Sequence, residues 1–158
     1  MARVPAIELT CRMSRFRLRM DKDCPDWEMV IIFGKVNQYY FTGTMQEGML
    51  LIPRNEDAVY WVRKSFDRAK DESYFPTIRA MGSFKDAAAV TPNIPKTIYL
   101  ETELVPLAMY QRLQKHFPFA EFKSVDAQIG KVRAVKSAFE LSLMEMSGKI
   151  QSTIVKIL

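Results

Sequence analysis

One histidine and two cysteines are the only imidazole and thiol metal ligands in this 158-residue chain. A conventional zinc site needs several such residues at set spacings, so His116, Cys11 and Cys24 cannot build one without carboxylates from elsewhere. The acids do not make up the deficit. Asp21, Asp23 and Asp26 flank a turn, Glu101 and Glu103 sit at a strand end, and neither group has a histidine beside it. His116 itself precedes Phe117 and Pro118 at a predicted helix end, where an imidazole interacts with the helix dipole. The six glycines are isolated, which excludes a phosphate-cradling loop. A Gly-x-Ser-x-Gly nucleophile elbow is absent. A complete active site is therefore not expected in this sequence, and no cofactor is expected to be held by it.

Other absences narrow the class. No apolar run approaches the roughly 18 to 20 residues of a membrane helix. The N-terminus, with Arg3 and Glu8, lacks a secretory apolar region. Two cysteines in a chain of this size read as reduced thiols rather than a disulfide framework. A cytoplasmic protein without a membrane partner is the resulting expectation. The formal charge of +5 invites a nucleic-acid reading. The excess is confined to the two ends: residues 1–20 carry five arginines against one glutamate, and residues 130–158 carry five cations against two glutamates. Arg12, Arg15 and Arg19 fall at helical spacing opposite Leu9, Met13, Phe16 and Met20, as a solvated face would. With no aromatic RNA-binding motif and no zinc-finger spacing, no nucleic-acid partner is expected.

What is present is an ordinary globular composition, 48% hydrophobic and 26% charged, long enough for one domain with a substantial core. The apolar spacing predicts a first helix over about Ala6–Asp21, broken by Asp23, Cys24, Pro25 and Asp26. Glu28 to Gly34 is a short continuous apolar run, the pattern of a strand covered on both faces. Gly48–Pro53 and Ala58–Val62 read as a hairpin around Asn55-Glu56-Asp57. A helix over Arg63–Glu72, a strand near Thr77–Met81, a short helix over Phe84–Val90 and a loop between Pro92 and Pro95 follow. The remainder reads as a strand at Thr97–Glu101, a helix at Val105–Phe117, a strand at Phe119–Val125 and a helix at Ala127–Val132 capped by Asp126. Strands interleaved with helices, plus one hairpin, predict an α/β fold: a mixed sheet with helices on both faces.

Two segments stand out from this background. Asn37-Gln38-Tyr39-Tyr40-Phe41-Thr42-Gly43 places three aromatics side by side without the alternation of a half-buried strand. One reading is structural, with Tyr40 and Phe41 in the core and Gly43 making a turn. The other is functional, with phenols offering apolar walls and a hydrogen-bonding tip. The second segment is Arg133-Ala-Val-Lys136-Ser137-Ala-Phe-Glu140. Ser137 and Glu140 form a capping-box pair at the start of a helix. Its apolar stripe of Phe139, Leu143, Met146, Ile150, Ile154 and Ile157 is still running at the last residue. Such a face needs a partner, and further chain is expected beyond it.

Arg133, Lys136, Ser137 and Glu140 resemble the "R-x-x-K-S-x-x-E" entry helix of the creatinase, aminopeptidase P and prolidase family. Residues 37–43 resemble that family's "N-x-x-Y-L-T-G-F" segment, with Phe41 in place of leucine and Thr44 in place of the final aromatic. The resemblance implies a ribonuclease-H-like creatinase N-terminal domain at residues 1–132 and, at 133–158, the start of a linker helix into a catalytic domain. By the same resemblance that domain would carry two divalent metals, commonly manganese, on two aspartates, one histidine and two glutamates. The implied parent is an Xaa-Pro aminopeptidase or dipeptidase acting on proline-containing peptides, usually as a homodimer. Tyr39, Tyr40, Thr42 and Gly43 become substrate-access candidates, with Tyr39 as the outward residue. Two alternatives stay open: a stand-alone binding module that has lost the enzyme, and the N-terminal domain of a creatinase-like amidinohydrolase.

Overall fold

The computed structural model describes residues 3–91 and 95–157. Its framework is a six-stranded mixed sheet in the order β4-β3-β2-β1-β5-β6. The strands are β1 (Met29–Ile32), β2 (Gly48–Pro53), β3 (Val59–Val62), β4 (Ile78–Ala80), β5 (Thr97–Leu100) and β6 (Glu121–Ser124). β1, β2 and β3 are antiparallel in sequence, whereas β1–β5, β5–β6 and β3–β4 are parallel pairs. The continuous apolar run Met29-Val30-Ile31-Ile32 lies mid-sheet with every residue buried. Its side chains alternate between two cores because successive strand residues point to opposite faces. Val30 and Ile32 join Leu50, Ile52, Tyr60 and Val62 in one core, while Met29 and Ile31 join Met49, Leu51, Trp61 and Ile98 in the other.

Helices close both cores. α1 (Ala6–Asp23), α2 (Lys35–Thr42), α3 (Phe66–Glu72) and α6 (Asp126–Ala134) contribute to the first, through Phe16, Phe41, Ala69 and Ile129 among others. α4 (Phe84–Ala89) and α5 (Leu107–Gln114) contribute Ala87 and Leu113 to the second. Each fully buried large apolar side chain contributes about 2 kcal/mol relative to exposure. The last helix, α7 (Ala138–Ile157), leaves this body after its first turn, where Phe139 packs on the first core.

The structure corrects several expectations. Residues 35–42, to which the sequence pattern assigned no element, form the helix α2, and Gly43 closes it in the left-handed conformation at φ 75° with its N–H donating to the Tyr39 carbonyl. α3 starts at Phe66, not Arg63, because Ser65 takes a left-handed backbone conformation at φ 61°. α5 is shorter at both ends than the predicted Val105–Phe117. Asp126 is the first residue of α6 and not its cap: its carboxylate accepts from the Thr102 and Ser124 hydroxyls and the Glu103 N–H. Arg12 is not solvated but buried among carboxylates. Of the expected loop between Pro92 and Pro95 only Pro95 is among the described residues.

Candidate functional site

The two segments singled out in the sequence meet in space. α2 carries the first. Its N-terminus has no Ser, Thr or Asp cap; instead the buried Glu101 carboxylate, at the end of β5, accepts from the Phe33 and Gly34 N–H groups at 2.6 Å each and from the Asn37 amide at 2.6 Å. Gly34 permits that approach, since a Cβ there would lie 2.7 Å from a Glu101 oxygen. Gln38 ties the helix to the hairpin, donating to the Gly48 carbonyl at 2.7 Å and accepting from the Tyr60 hydroxyl at 3.1 Å.

Of the four access candidates only Tyr39 is exposed, at 36%. Phe41 is fully buried against Phe16, with ring centroids 5.0 Å apart. Thr42 is also fully buried, its hydroxyl donating to the Gln38 and Thr44 carbonyls, and Gly43 is buried behind Val4. Tyr40 is 5% exposed, and its hydroxyl has no hydrogen-bond partner among the described residues. Burial pushes its pKa up, and the neighbouring Glu140 carboxylate adds to the shift.

The second segment joins α6 to α7. Arg133 donates to the Asn37 side-chain oxygen at 2.8 Å, so Asn37 is held between Arg133 and Glu101. Ser137 and Glu140 form the capping box: the Ser137 N–H donates to Glu140 Oε2 at 2.9 Å, and the Glu140 N–H donates to Ser137 Oγ at 3.1 Å. Ser137 Oγ also donates to Glu8 at 2.8 Å. Lys136 is exposed and reaches only the Ala134 carbonyl.

At the centre stands a residue that sequence reasoning assigned to solvent. Arg12 donates to Glu8 Oε1 at 2.7 Å and to the Tyr40 carbonyl at 2.8 Å, lies 3.4 Å from Glu140 Oε1, and stacks 4.5 Å from the Tyr40 ring centre. The one sequence signal for it was Glu8 at i−4 on α1. Arg15 adds two further bonds to the Val132 and Val135 carbonyls at the end of α6. The cluster thus binds α1, α2 and the start of α7 into one joint. Its two carboxylates accept from nearby donors, Glu8 from Arg12 and Ser137 and Glu140 from the Ser137 N–H. Among the described residues no group of three or more His, Cys, Asp or Glu could hold a metal ion, so a divalent metal pair does not fit here. Beyond the joint, Leu143, Met146, Ile150 and Ile154 are each about half exposed or more, and the Ile157 side chain lies outside the described residues.

Fold and site together define a mixed-sheet α/β domain that anchors an outgoing helix. The chain belongs to the creatinase/prolidase N-terminal domain family, whose model matches residues 12–135. It is 26% identical over 141 residues to the Xaa-Pro dipeptidase of Pyrococcus furiosus and 30% identical over 135 residues to that of Pyrococcus horikoshii. These alignments cover 88% and 83% of this chain but 39% and 36% of those proteins. The chain therefore spans about two fifths of the length of the curated relatives it matches. The crystal structure of the Pyrococcus horikoshii OT3 prolidase superposes with a TM-score of 0.77 and 25% identity, covering 92% of this chain and 41% of that one.

Proposed function

We propose that this chain is the non-catalytic N-terminal domain of a metal-dependent Xaa-Pro dipeptidase or aminopeptidase, with residues 1–132 as the domain and 133–158 as the start of the helix into the catalytic domain. In this reading the domain mediates oligomer contacts, as in a homodimer, and restricts access to the active site so that short proline-containing peptides enter. In the same reading the protein works in the cytoplasm.

The observation that carries the proposal is the polar joint. Arg133, Ser137 and Glu140 clamp the base of α7 to α1 and α2, which suits a helix that must leave the domain at a fixed angle. Tyr39 is the outward phenol of α2 and the residue assigned to face substrate; Tyr40, Thr42 and Gly43 support it from within. The two metals, manganese in first place, would be held by the catalytic domain. The reading frame that follows Leu158 tests this. It should encode a domain with two aspartates, one histidine and two glutamates as ligands, and the encoded protein should cleave Xaa-Pro dipeptides. A stop codon directly after Leu158 would instead favour the stand-alone binding module. Turnover of a small guanidino compound and not of peptides would favour the creatinase-like alternative.

A further inference from the structure

The first turn of α2 is held from outside the helix. Its N-cap residue, Gly34, has no side chain to bond the helix N–H groups, and the carboxylate at that end is Glu101, fully buried just after β5. All three donors to Glu101 are neutral: the Phe33 and Gly34 N–H groups and the Asn37 amide. A buried carboxylate is costly to hold, and a serine or aspartate at position 34 would cap the helix at less cost. A local cap of that kind would not tie the helix to anything else. Glu101 does, because β5 pairs in parallel with β1, the strand that leads into α2. Asn37 extends the tie. Its amide has a donor end and an acceptor end; the first faces Glu101 and the second accepts from Arg133, near the end of α6, at 2.8 Å. These bonds have direction, whereas the apolar contacts of Tyr40 and Phe41 have none.

The relay from Glu101 through Asn37 to Arg133 fixes the rotation of α2 about its own axis. At 3.6 residues per turn, Tyr39 lies about 200° round the helix from Asn37. Holding Asn37 inward, at 8% exposure, therefore turns Tyr39 outward, at 36%. We propose that Glu101 and Arg133 are positioning residues for the Tyr39 phenol, acting through Asn37. The direction of the phenol is thereby linked to the seat of α6, whose end leads into α7. That Tyr39 meets substrate rests on the peptidase reading; that the relay aims it does not.

Fluorine NMR of the 158-residue chain, with 3-fluorotyrosine at position 39, tests the relay, and circular dichroism checks that each variant is folded. Asn37→Leu removes both ends of the amide while leucine keeps its shape and is the better helix former. It should move or split the fluorine signal although Glu101 keeps its bonds to the Phe33 and Gly34 N–H groups. Arg133→Met, at an exposed position that tolerates the change, should move the signal as well. Glu101→Gln sets an amide N–H against donors, so it should move the signal and also speed hydrogen exchange at Phe33 and Gly34. Leu113→Ala, in the second core, should lower Tm and leave the signal in place, which separates aim from stability. A parent-like signal in folded Asn37→Leu overturns the proposal, because burial of Phe41 then suffices to set the rotation; a parent-like signal in Arg133→Met overturns the part of Arg133. In the longer protein that the peptidase reading expects, Asn37→Leu should lower kcat/KM about tenfold. On a Tyr39→Ala background the further loss should be less than about twofold, since both act through one phenol. Additive losses overturn action through Tyr39. A moved signal with unchanged kinetics refutes the substrate role of Tyr39 and leaves the relay standing.

Discussion

Replacing Arg12 is the most informative perturbation of the joint. Its side chain is 5% exposed and that of Glu8 11%, and it contacts Glu8, Glu140 and the Tyr40 carbonyl at once. Arg12→Met keeps much of the aliphatic volume and removes the charge. Glu8 then remains nearly buried with the Ser137 hydroxyl as its remaining hydrogen-bond donor, and the Tyr40 carbonyl loses its guanidinium donor. Removing one member of a buried pair costs about 3 to 5 kcal/mol. Glu140 keeps its capping-box bonds, which places the expectation at the lower end, about 3 kcal/mol. For a domain of this size that lowers Tm by roughly 10 °C. Urea denaturation gives the free energy, and hydrogen exchange locates the damage, with the first turn of α7 losing protection together with α2. The double variant Glu8→Met, Arg12→Met removes both charges and should be more stable than Arg12→Met alone, because no uncompensated charge is left. If Arg12→Met costs less than about 1 kcal/mol, or the double variant loses the sum of the two singles, the guanidinium is not the keystone of the joint.

Three further outcomes are expected. In the full-length enzyme, Tyr39→Ala should raise KM or lower kcat with Tm nearly unchanged, whereas Phe41→Ala should cost about 3 to 5 kcal/mol as a buried aromatic; a large Tm loss with normal kinetics for Tyr39→Ala would make that residue structural. Acid should weaken the fold: hydrogen bonds from Arg68 hold Glu72 below the usual carboxylate range, and Lys123 does the same for Asp26. Groups with depressed folded values stabilise above their unfolded pKa, near 4, and lose that contribution as pH falls through the lower folded value. Tm should therefore be flat from about pH 7 to 5 and fall below about 4; an unchanged Tm at about pH 3 would contradict the assignment. Hydrogen exchange of dilute protein should show slow amides through Glu140 and Leu141 and fast ones beyond Ile150; uniform protection along α7 would mean that the helix packs on its own domain.

Much of the fold was legible because its signals are local. The run Met29–Ile32 is apolar on both faces and is central; the hairpin of β2 and β3 follows from its turn residues; α1 follows from Leu9, Phe16 and Met20. The capping box of Ser137 and Glu140 needed only a four-residue window. What escaped depends on distant partners. α2 has polar Asn37, Gln38 and Thr42 on buried positions, and its capping carboxylate, Glu101, comes from 67 residues away from Gly34. Arg12 lies on α1 where an exposed cation would be ordinary, and only the return of the chain at Ser137 and Glu140 encloses it.

The central claim, the proposal that this chain is the non-catalytic domain of an Xaa-Pro peptidase, is tested most directly by assaying the purified 158-residue chain on Xaa-Pro dipeptides with and without manganese, beside the longer protein that this reading expects its gene to encode. The account expects no turnover by the chain under either condition and metal-dependent turnover by the longer protein. Hydrolysis that survives repurification and scales with the amount of the 158-residue chain would contradict it.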